Sequence, residues 1–401
     1  MSKKIQPADN IQDLQYFGEF GGVNPSITDS STFTFLKAGK MEEIFEHEIE
    51  GCYLYSRHWN PMNKYLSQAL AQLEGTENAS VTGSGMAAIT NVILQLCSAG
   101  DEIVSSRTIY GGTYAFFKNF LPKFNIQTKF VDTTNIENVK KSITSKTKII
   151  YCETISNPML EVSDIVALSK LAKAHNCKLV VDNTFSPMIF SPAQLGADIV
   201  VHSMTKFING MSDCVAGAIC GTKEFVDSLS DVNNGASMLL GPVLDSFRAA
   251  SILKNLRTLH IRLKQHSSNA LHIAQKLHND GQKIIYPGLD IHPQHQLMKS
   301  LYNAEFGFGG LFVIDVKTKE RANVLMEAMQ NNNVGYLAVS LGSYKTLFSA
   351  PGGSTSSEIP EEERKQIGLT EGLVRISIGL DNNPERTYQL IKKCLSEMTN
   401  T

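Results

Sequence analysis

Residues 178–207 read KLVVDNTFSPMIFSPAQLGADIVVHSMTKF, and this stretch decides the fold. The runs at 179–181 and 199–201 are apolar without alternation, which is typical of strands buried on both faces of a parallel sheet. Asp182 directly follows the first run, and Lys206 lies in a hydroxyl-rich turn after the second. Open α/β sheets bind ligands beyond the carboxyl ends of their strands, so we expect both side chains at one rim.

A carboxylate and an amine at one rim allow two interpretations. The first is a structural ion pair between Asp182 and Lys206. The second is a lysine that forms a Schiff base with pyridoxal phosphate (PLP), beside an aspartate that keeps the pyridine nitrogen protonated so that the ring accepts electrons. Ser203 and Thr205 favour the second interpretation, because their hydroxyls can hold a phosphate ester beside the lysine.

Two glycine-containing turns add to the PLP interpretation. Residues 81–88 (VTGSGMAA) open into an apolar helical run, where backbone N–H groups near Gly85 and Met86 can form a phosphate cup. Close helix packing is the alternative reason for small residues there. Tyr110 follows a strand and precedes two glycines, which favours a ring stacked on a flat cofactor, with a hydroxyl for proton transfer, over an ordinary buried aromatic.

Asn157 and Arg375 are candidates for the substrate side of the site. Asn157 lies at another strand end, where it could hydrogen-bond the cofactor's phenolic oxygen, although Asn-Pro also begins ordinary turns. Arg375 interrupts the apolar strand LVRISIGL, where a charge is costly. An internally paired arginine is one interpretation. We favour a bidentate clamp for a substrate carboxylate, which suits a planar guanidinium.

Strand and helix patterns alternate along the chain and predict an α/β fold with a mostly parallel sheet covered by helices on both faces. Further strands of this sheet are expected at 102–105, 128–131, 148–152 and 215–220. A helix over 164–175 is expected to be capped by Ser163. The C-terminal part alternates again, with expected strands at 311–316, 336–340 and 373–378 and a helix over 319–330.

These patterns divide the chain into three parts. Residues 1–58 carry little periodicity and predict an N-terminal arm that contacts a neighbouring subunit, with a loosely ordered tail as the alternative. Residues 59–256 are expected to form the large PLP-binding domain, and residues 257–401 a smaller C-terminal α/β domain. A helical stretch over 245–279 would bridge the two. The Gly/Ser/Pro-rich segment 349–360 predicts a loop that could close over the site.

Composition excludes several classes of protein. Lys plus Arg number 37 against 39 Asp plus Glu, a net charge of −2, so nothing favours nucleic acid or an anionic membrane. The seven cysteines show neither CxxC spacing nor neighbouring histidines, which favours buried free thiols over disulfides or a metal site. The N-terminus has no apolar signal core, and no apolar run reaches about 20 residues, so a cytoplasmic location is expected.

The motifs YSRHWNP, GSGMAA, YGGTY, SNP, VVDNTF, HSMTK and LVRISIGL follow one another along the chain, within a similarity that extends from about Phe20 to Gly379. In this combination the chain resembles the cystathionine γ-synthase-like, or Cys/Met metabolism, family of PLP enzymes. The resemblance implies fold type I: a mostly parallel seven-stranded large domain like that of aspartate aminotransferase, with a smaller C-terminal α/β domain. It also implies a homotetramer built from two active dimers.

The resemblance assigns roles to the matching residues. The implied catalytic residues are Lys206 (Schiff base), Asp182 (pyridinium partner) and Tyr110 (stacking acid/base). The residues that would hold the phosphate are Gly85, Met86, Ser203 and Thr205, with Tyr55 and Arg57 reaching the neighbouring subunit's phosphate. The residues that would position the substrate are Asn157, which also contacts the cofactor, Ser340 and Arg375.

Within the family, the segments FGGVNPSITDSSTFTF, ASMLLGP, YPGLDIHPQHQLMK and SLGSYKTLFSAPGGSTSSE look most like plant-type methionine γ-lyases and their bacterial relatives. Two features depart from the better-known bacterial methionine lyases. Those enzymes carry a cysteine two residues after the stacking tyrosine, where this chain has Gly112. Their charged Lys-Asp pair is not recognisable in DVNNGASML. Both departures leave the cofactor residues intact and bear on specificity for a thioether.

The function that follows is a PLP-dependent carbon–sulfur lyase acting on sulfur amino acids. The first candidate is a methionine γ-lyase, which would convert methionine to methanethiol, ammonia and 2-oxobutanoate through the Lys206 Schiff base and γ-elimination. The alternatives are γ-replacement, as in an O-acetylhomoserine sulfhydrylase or a cystathionine γ-synthase, and cystathionine γ-lyase activity. A non-catalytic PLP-binding regulator is the remote alternative, because lysine, aspartate, tyrosine and arginine together are hard to explain without catalysis.

Overall fold

The opening stretch forms two neighbouring strands of a seven-stranded sheet. The computed structural model describes residues 6–16, 18–46, 51–353 and 358–398. The strands of this sheet are β1 Asn78–Thr82, β2 Glu102–Ser106, β3 Gln127–Val131, β4 Thr147–Glu153, β5 Lys178–Asp182, β6 Ile199–Ser203 and β7 Gly217–Gly221. Their spatial order is β1-β7-β6-β5-β4-β2-β3.

The sheet is mostly parallel, as predicted. Strands β2 to β6 pair in parallel, and only β7 runs antiparallel to its two neighbours. Residues 179–181 are completely buried, and those at 199–201 nearly so, because helices cover both faces of the sheet. The parallel register sets Asp182 beside Val201, which brings the carboxyl ends of β5 and β6 to one rim.

A second sheet of five strands follows. Its strands are β8 Ile284–Ile285, β9 Leu311–Asp315, β10 Tyr336–Leu337, β11 Leu347–Ser349 and β12 Leu373–Ser377. Their order is β10-β11-β12-β9-β8, antiparallel except for the β10–β11 pair. This smaller α/β unit agrees with the predicted fold class, while the boundary near residue 256 stays a prediction.

Fifteen α-helices are found in the described ranges. They are α1 Pro7–Gln12, α2 Ala38–Glu46, α3 Pro61–Glu74, α4 Gly85–Leu96, α5 Gly111–Ala115, α6 Ile136–Ser142, α7 Ile165–Ala174, α8 Lys223–Ser228, α9 Ala236–Leu240, α10 Ser246–Leu256, α11 Leu259–Asn279, α12 His295–Leu301, α13 Lys319–Asn331, α14 Glu361–Gln366 and α15 Pro384–Glu397. None of these helices is both long and apolar enough to cross a membrane.

Four predictions about single elements differ from the structure. The strand expected at 336–340 ends at Leu337, and Ser340, with a φ of 116°, has a backbone conformation outside the strand region. The helix cap before α7 is Asp164, whose side chain accepts from the Ala167 N–H, rather than Ser163.

The helical stretch over 245–279 breaks between α10 and α11. The Thr258 N–H bonds to the Asn255 carbonyl, and the Arg262 side chain donates to the same oxygen, so the α-helical hydrogen bonding stops there. The predicted strand at 215–220 also begins two residues late, at Gly217.

The N-terminal segment is only partly attached to its own chain. Helix α1 packs against α3, and the Tyr16 hydroxyl donates to the Tyr65 carbonyl at 3.3 Å. Phe20 and Leu36, by contrast, are fully exposed. All seven cysteines are free and six of them are buried, as predicted.

Candidate active site

The carboxyl ends of β4, β5 and β6 open into a cleft of about 440 Å³. This volume lies within the range of about 300–1,000 Å³ that is usual for small-molecule sites. Ten of the twelve predicted site residues line this cleft: Gly85, Met86, Tyr110, Asn157, Asp182, Ser203, Thr205, Lys206, Ser340 and Arg375. One rim of the first sheet therefore gathers residues that are far apart in sequence.

Lys206 extends into the cleft from the turn after β6. Its Nζ donates to the Ser340 Oγ at 2.8 Å. Burial lowers the pKa of Lys206 to about 8, and the positive charge of Arg375 adds to this effect. An amine with such a pKa is partly uncharged near neutral pH, so it can act as a nucleophile or a base.

Asp182 is buried at the floor of the cleft. Its Oδ1 accepts from the Thr184 N–H at 2.9 Å, and the Tyr151 hydroxyl approaches Oδ2 at 3.4 Å. Burial raises the pKa of Asp182, whereas the Thr184 hydrogen bonds and a protonated His202 would lower it. Although Asp182 and Lys206 line the same cleft, they bond to other groups, so the structural ion-pair interpretation is wrong.

Helix α4 points its N-terminus at the cleft. Ser84 caps it, with the Oγ accepting from the Ala87 N–H at 3.0 Å, while the remaining N–H groups of the first turn have no helical partner. A Cβ on Gly85 would lie 2.6 Å from the Ser203 Cβ, so only glycine lets the helix come this close to the end of β6. The Thr205 Oγ1 accepts from the Ala216 N–H at 3.1 Å, which fixes that hydroxyl at the same place.

Tyr110 begins helix α5 and stands at the cleft mouth, 40% exposed. Burial raises the pKa of Tyr110, so its hydroxyl keeps a proton that it can donate. A Cβ on Gly112 would lie 2.6 Å from the Tyr110 Cε1, so the ring occupies space that a side chain at position 112 would need. Gly112 therefore sets the position of this ring.

Arg375 enters the cleft from the second sheet and is almost completely buried. Its Nη1 donates to the Asn157 Oδ1 at 2.8 Å, and its Nη2 donates to the Ser340 carbonyl at 3.0 Å. Burial lowers the pKa of Arg375 to about 10, which leaves the guanidinium charged near neutral pH. Ser340 therefore touches two cations, Lys206 through its hydroxyl and Arg375 through its carbonyl.

Sequence reasoning missed Glu153 at the end of β4. The oxygens of this buried carboxyl group accept from the Tyr110 N–H at 2.7 Å and from the Asn157 N–H at 2.8 Å, so Glu153 joins two loops of the site. The signal was available, because Glu153 ends an apolar strand just as Asp182 does. Thr184, whose N–H bonds Asp182, gave no such signal.

Arg262 of α11 supports the turn behind Lys206. Its Nη1 donates to the Phe207 carbonyl at 2.6 Å, and its Nη2 donates to the Ile208 carbonyl at 2.8 Å. A Cβ on Gly210 would lie 2.2 Å from the Arg262 Nη1, so the turn leaves no space for a side chain there. The sequence pattern did not indicate this contact.

Tyr55 and Arg57 lie outside the cleft. The Arg57 Nη1 donates to the Met238 carbonyl at 2.7 Å, and its guanidinium carbon lies 5.7 Å from the Tyr55 ring centroid. Their expected contact with a neighbouring subunit's phosphate stays a prediction.

Comparison with known proteins identifies this set of residues. Residues 10–390 match the family model described as Cys/Met metabolism PLP-dependent enzyme. The chain belongs to this family. The cleft fits the family's cofactor, since it combines an amine of lowered pKa, a buried carboxylate and a helix N-terminus beside two hydroxyls.

Several members of the Cys/Met metabolism family are similar along nearly the whole chain. Methionine gamma-lyase of Arabidopsis thaliana is 44% identical over 98% of this chain and 90% of its own. L-methionine gamma-lyase of Treponema denticola is 39% identical over 91% of this chain and 90% of its own. Cystathionine gamma-lyase of Bacillus subtilis is 37% identical over 90% of this chain and 91% of its own.

Solved structures of the family share the fold. A putative O-acetylhomoserine (thiol)-lyase from Campylobacter jejuni superimposes with a TM-score of 0.90 at 28% identity, over 98% of this chain and 100% of its own. That crystal structure contains a pyridoxyl-lysine monophosphate. The predicted family, fold type and PLP dependence are thus confirmed.

Proposed function

We propose that this chain is a carbon–sulfur lyase whose main reaction is the γ-elimination of methionine to methanethiol, ammonia and 2-oxobutanoate. The observation that carries the proposal is the pairing of two cations, Lys206 and Arg375, across Ser340 in one cleft. The half-buried Lys206 and the buried Arg375 repel each other as cations, and the α-carboxylate of an amino acid would relieve this repulsion. Carboxylate binding at Arg375 would leave the α-carbon within reach of Lys206.

Thioether specificity is supported by the walls of the cleft and by the relatives. Among the described lining residues, Ile89, Phe185 and Leu341 are apolar, which suits a methylthioethyl side chain. The relatives from Arabidopsis thaliana and Treponema denticola are both named methionine gamma-lyases.

The residues that would hold the cofactor follow from their positions. Bound PLP supplies an electron-withdrawing ring that takes up the electron pair released at the α-carbon of the substrate. Lys206 would hold its aldehyde carbon, and Asp182 would keep a proton on its ring nitrogen. The N-terminus of α4, with Ser203 and Thr205, would bind its phosphate. Tyr110 would cover one face of the ring.

Two side chains would move the protons. The uncharged Nζ of Lys206 would accept the α-proton of the substrate and afterwards mobilise a β-proton, which its lowered pKa permits. The Tyr110 hydroxyl, whose pKa is raised, would give its proton to the departing sulfur. Asn157 would hold the Arg375 guanidinium in place for the carboxylate.

Product analysis tests the proposal. Purified holoenzyme is incubated separately with methionine, with cystathionine, and with O-acetylhomoserine plus sulfide. We expect the highest kcat/KM for methionine, with methanethiol and 2-oxobutanoate in equal amounts. Faster formation of homocysteine from O-acetylhomoserine and sulfide would favour a replacement enzyme, and faster cystathionine cleavage would favour a cystathionine γ-lyase. Absence of turnover on all of them would favour a regulator.

We also infer a homotetramer of two active dimers, in the cytoplasm. The exposed Phe20 and Leu36 and the position of Tyr55 and Arg57 outside the cleft support a shared site. Mixing an inactive Arg57→Ala variant with an inactive Lys206→Ala variant should restore activity, because one site of a mixed dimer is intact. No recovery in mixtures that do exchange subunits would contradict a shared site.

A further inference from the structure

Two carboxyl groups lie side by side at the floor of the cleft. Glu153 and Asp182 are register partners at the ends of the parallel strands β4 and β5, and both are buried. Burial raises the pKa of each, and the charge of Asp182 raises that of Glu153 further. Adjacent buried carboxyls resist ionising together, so the pair holds one negative charge more readily than two. The role proposed for Asp182, keeping a proton on the cofactor's ring nitrogen, requires this single negative charge to lie on Asp182.

A second buried pair lies behind Asp182. The Glu74 Oε1, at the end of α3, is 2.7 Å from the His202 Nε2, and the Asn183 Nδ2 donates to the same oxygen at 2.9 Å. Both members of this pair are about 1% exposed. Side chains alternate along a strand, so His202 and Asn183 lie on the opposite side from the adjacent site residues Ser203 and Asp182.

Glu74 is the polar partner of the His202 ring. Within the described ranges, the His202 Nδ1 has no hydrogen-bond partner, and neither does the Glu74 Oε2. The contact with Glu74 is therefore the ring's one polar contact. A neutral imidazole would leave Glu74 as a buried carboxylate without a counter-ion, which is costly. A positive charge on His202 would give Glu74 a counter-ion at 2.7 Å, which outweighs the cost of a buried Nδ1–H without a partner.

The positive charge acts on the two carboxyls unequally. His202 lies on β6, next to the strand β5 that ends in Asp182, whereas Glu153 ends β4, one strand further away. A positive charge on His202 therefore lowers the pKa of Asp182, whereas the groups that act on Glu153 are Asp182 and two backbone N–H groups. Burial raises the pKa of Tyr151 beside Asp182, that of Cys152 beside Glu153 and that of Cys220 beside Glu74, so these three side chains keep their protons.

We propose that Glu74 and His202 are positioning residues, a buried ion pair that makes Asp182 rather than Glu153 the ionised carboxyl at the floor of the site. This inference rests on the proposed role of Asp182 as partner of the cofactor's ring nitrogen. Glu74 acts through His202, and neither residue touches the substrate.

Neutron diffraction from crystals of the wild-type holoenzyme in D₂O tests the inference without any substitution. We expect deuterons on both ring nitrogens of His202, on the Glu153 carboxyl and on the cofactor's ring nitrogen, with none on Asp182. A single deuteron on His202, or a deuteron on Asp182, would overturn the inference while leaving the proposed function intact. A ring nitrogen placed away from Asp182 would instead refute the proposed role of Asp182, and the inference with it.

Substitution gives a second test with a spectroscopic readout. Glu74→Gln and His202→Gln are compared with His266→Gln, a matched control whose buried ring bonds the Ile378 carbonyl and packs on Phe207. In the first two variants we expect kcat to fall about tenfold with KM nearly unchanged, corresponding to a change of about one pKa unit at Asp182. In both variants we also expect a shift in the midpoint of the pH titration that is followed by the absorbance of the bound cofactor.

The control should keep the titration of the wild type. A wild-type titration in folded Glu74→Gln and His202→Gln would overturn the inference. If neither variant folds, the neutron experiment decides it alone.

Discussion

The two walls of the cleft are built differently. The wall from the first sheet presents Asp182, which is buried, and Lys206, which is half-buried, at strand ends or just beyond them, and both are hydrogen-bonded to neighbouring elements. The wall from the second sheet presents Val339 at 60% exposure, Ser340 at a φ of 116° and Glu358 on the surface. We therefore call the wall from the first sheet the rigid wall and assign the cofactor chemistry to it. The wall from the second sheet is the open wall, and we assign substrate selection to it.

Lys206→Ala tests the rigid wall and should have the largest effect. Because one amine holds the cofactor and moves the protons, we expect turnover of methionine to fall by roughly 10³-fold or more, with loss of the visible absorbance. The matched control is Lys178→Ala, which removes an exposed lysine from β5 and should change little. Retained turnover and absorbance in Lys206→Ala would show that Lys206 does not hold the cofactor, and that the rigid wall does not carry the cofactor chemistry.

Arg375→Lys tests a deeply buried residue of the open wall. The lysine keeps the positive charge but loses the planar fork that contacts Asn157 and the Ser340 carbonyl. We expect KM for methionine to rise roughly 10- to 100-fold, with a smaller change in kcat. Steady-state kinetics measure both constants, and an unchanged KM would show that the substrate carboxylate binds elsewhere.

The pKa of Lys206 predicts how the protein without cofactor captures PLP. Only the uncharged amine attacks an aldehyde, and the pKa of this amine is lowered to about 8 by burial. The capture rate should therefore rise with pH through about 8, by about tenfold between pH 7 and pH 9. Stopped-flow absorbance records it. A rise centred near the ordinary lysine pKa would mean that the cleft leaves the amine solvated.

Ser340→Ala and Ser340→Gly separate two properties of one residue. Both variants lose the hydroxyl that accepts from Lys206, so kcat/KM should fall several-fold and equally. Only glycine relieves the φ of 116°, so Ser340→Gly should be more stable than Ser340→Ala by about 1 kcal/mol. Chemical denaturation measures the difference, and equal stabilities would mean that the backbone there is not strained.

Glu358→Gln should have the smallest effect. Glu358 lies at the exposed mouth, where its charge would attract the distal ammonium of cystathionine but not the side chain of methionine. We expect the preference ratio of cystathionine to methionine to fall about two- to fivefold. Competition assays with both substrates give this ratio. A larger change would mean that Glu358 contacts the substrate directly, and that the open wall closes around the substrate at this position.

The same contrast explains what could be predicted from sequence. Lys206, Asp182 and the N-terminus of α4 follow from strand ends and a glycine-rich turn, which are local patterns. The short strand β10 and the φ of Ser340 depend on packing between distant segments, so the sequence predicted a strand where a bend occurs.

Long-range contacts set the remaining limits. Glu74 ends a helix more than a hundred residues before His202, and nothing local indicates their pairing. Glu153, by contrast, could have been predicted, because it is an acidic residue at the end of an apolar strand, as Asp182 is. The segment 349–360 lies partly outside the described residues, so its predicted closure over the site stays a prediction.

The Arg262 contact has a consequence for the order in which the protein is made. Arg262 lies 55 residues after Phe207, whose carbonyl it bonds, and it belongs to the helix that follows the whole first sheet. During synthesis on the ribosome, all seven strands of that sheet emerge before the guanidinium that braces the lysine's turn. Lys206 therefore gains this hydrogen-bonded support only after α11 has emerged and docked.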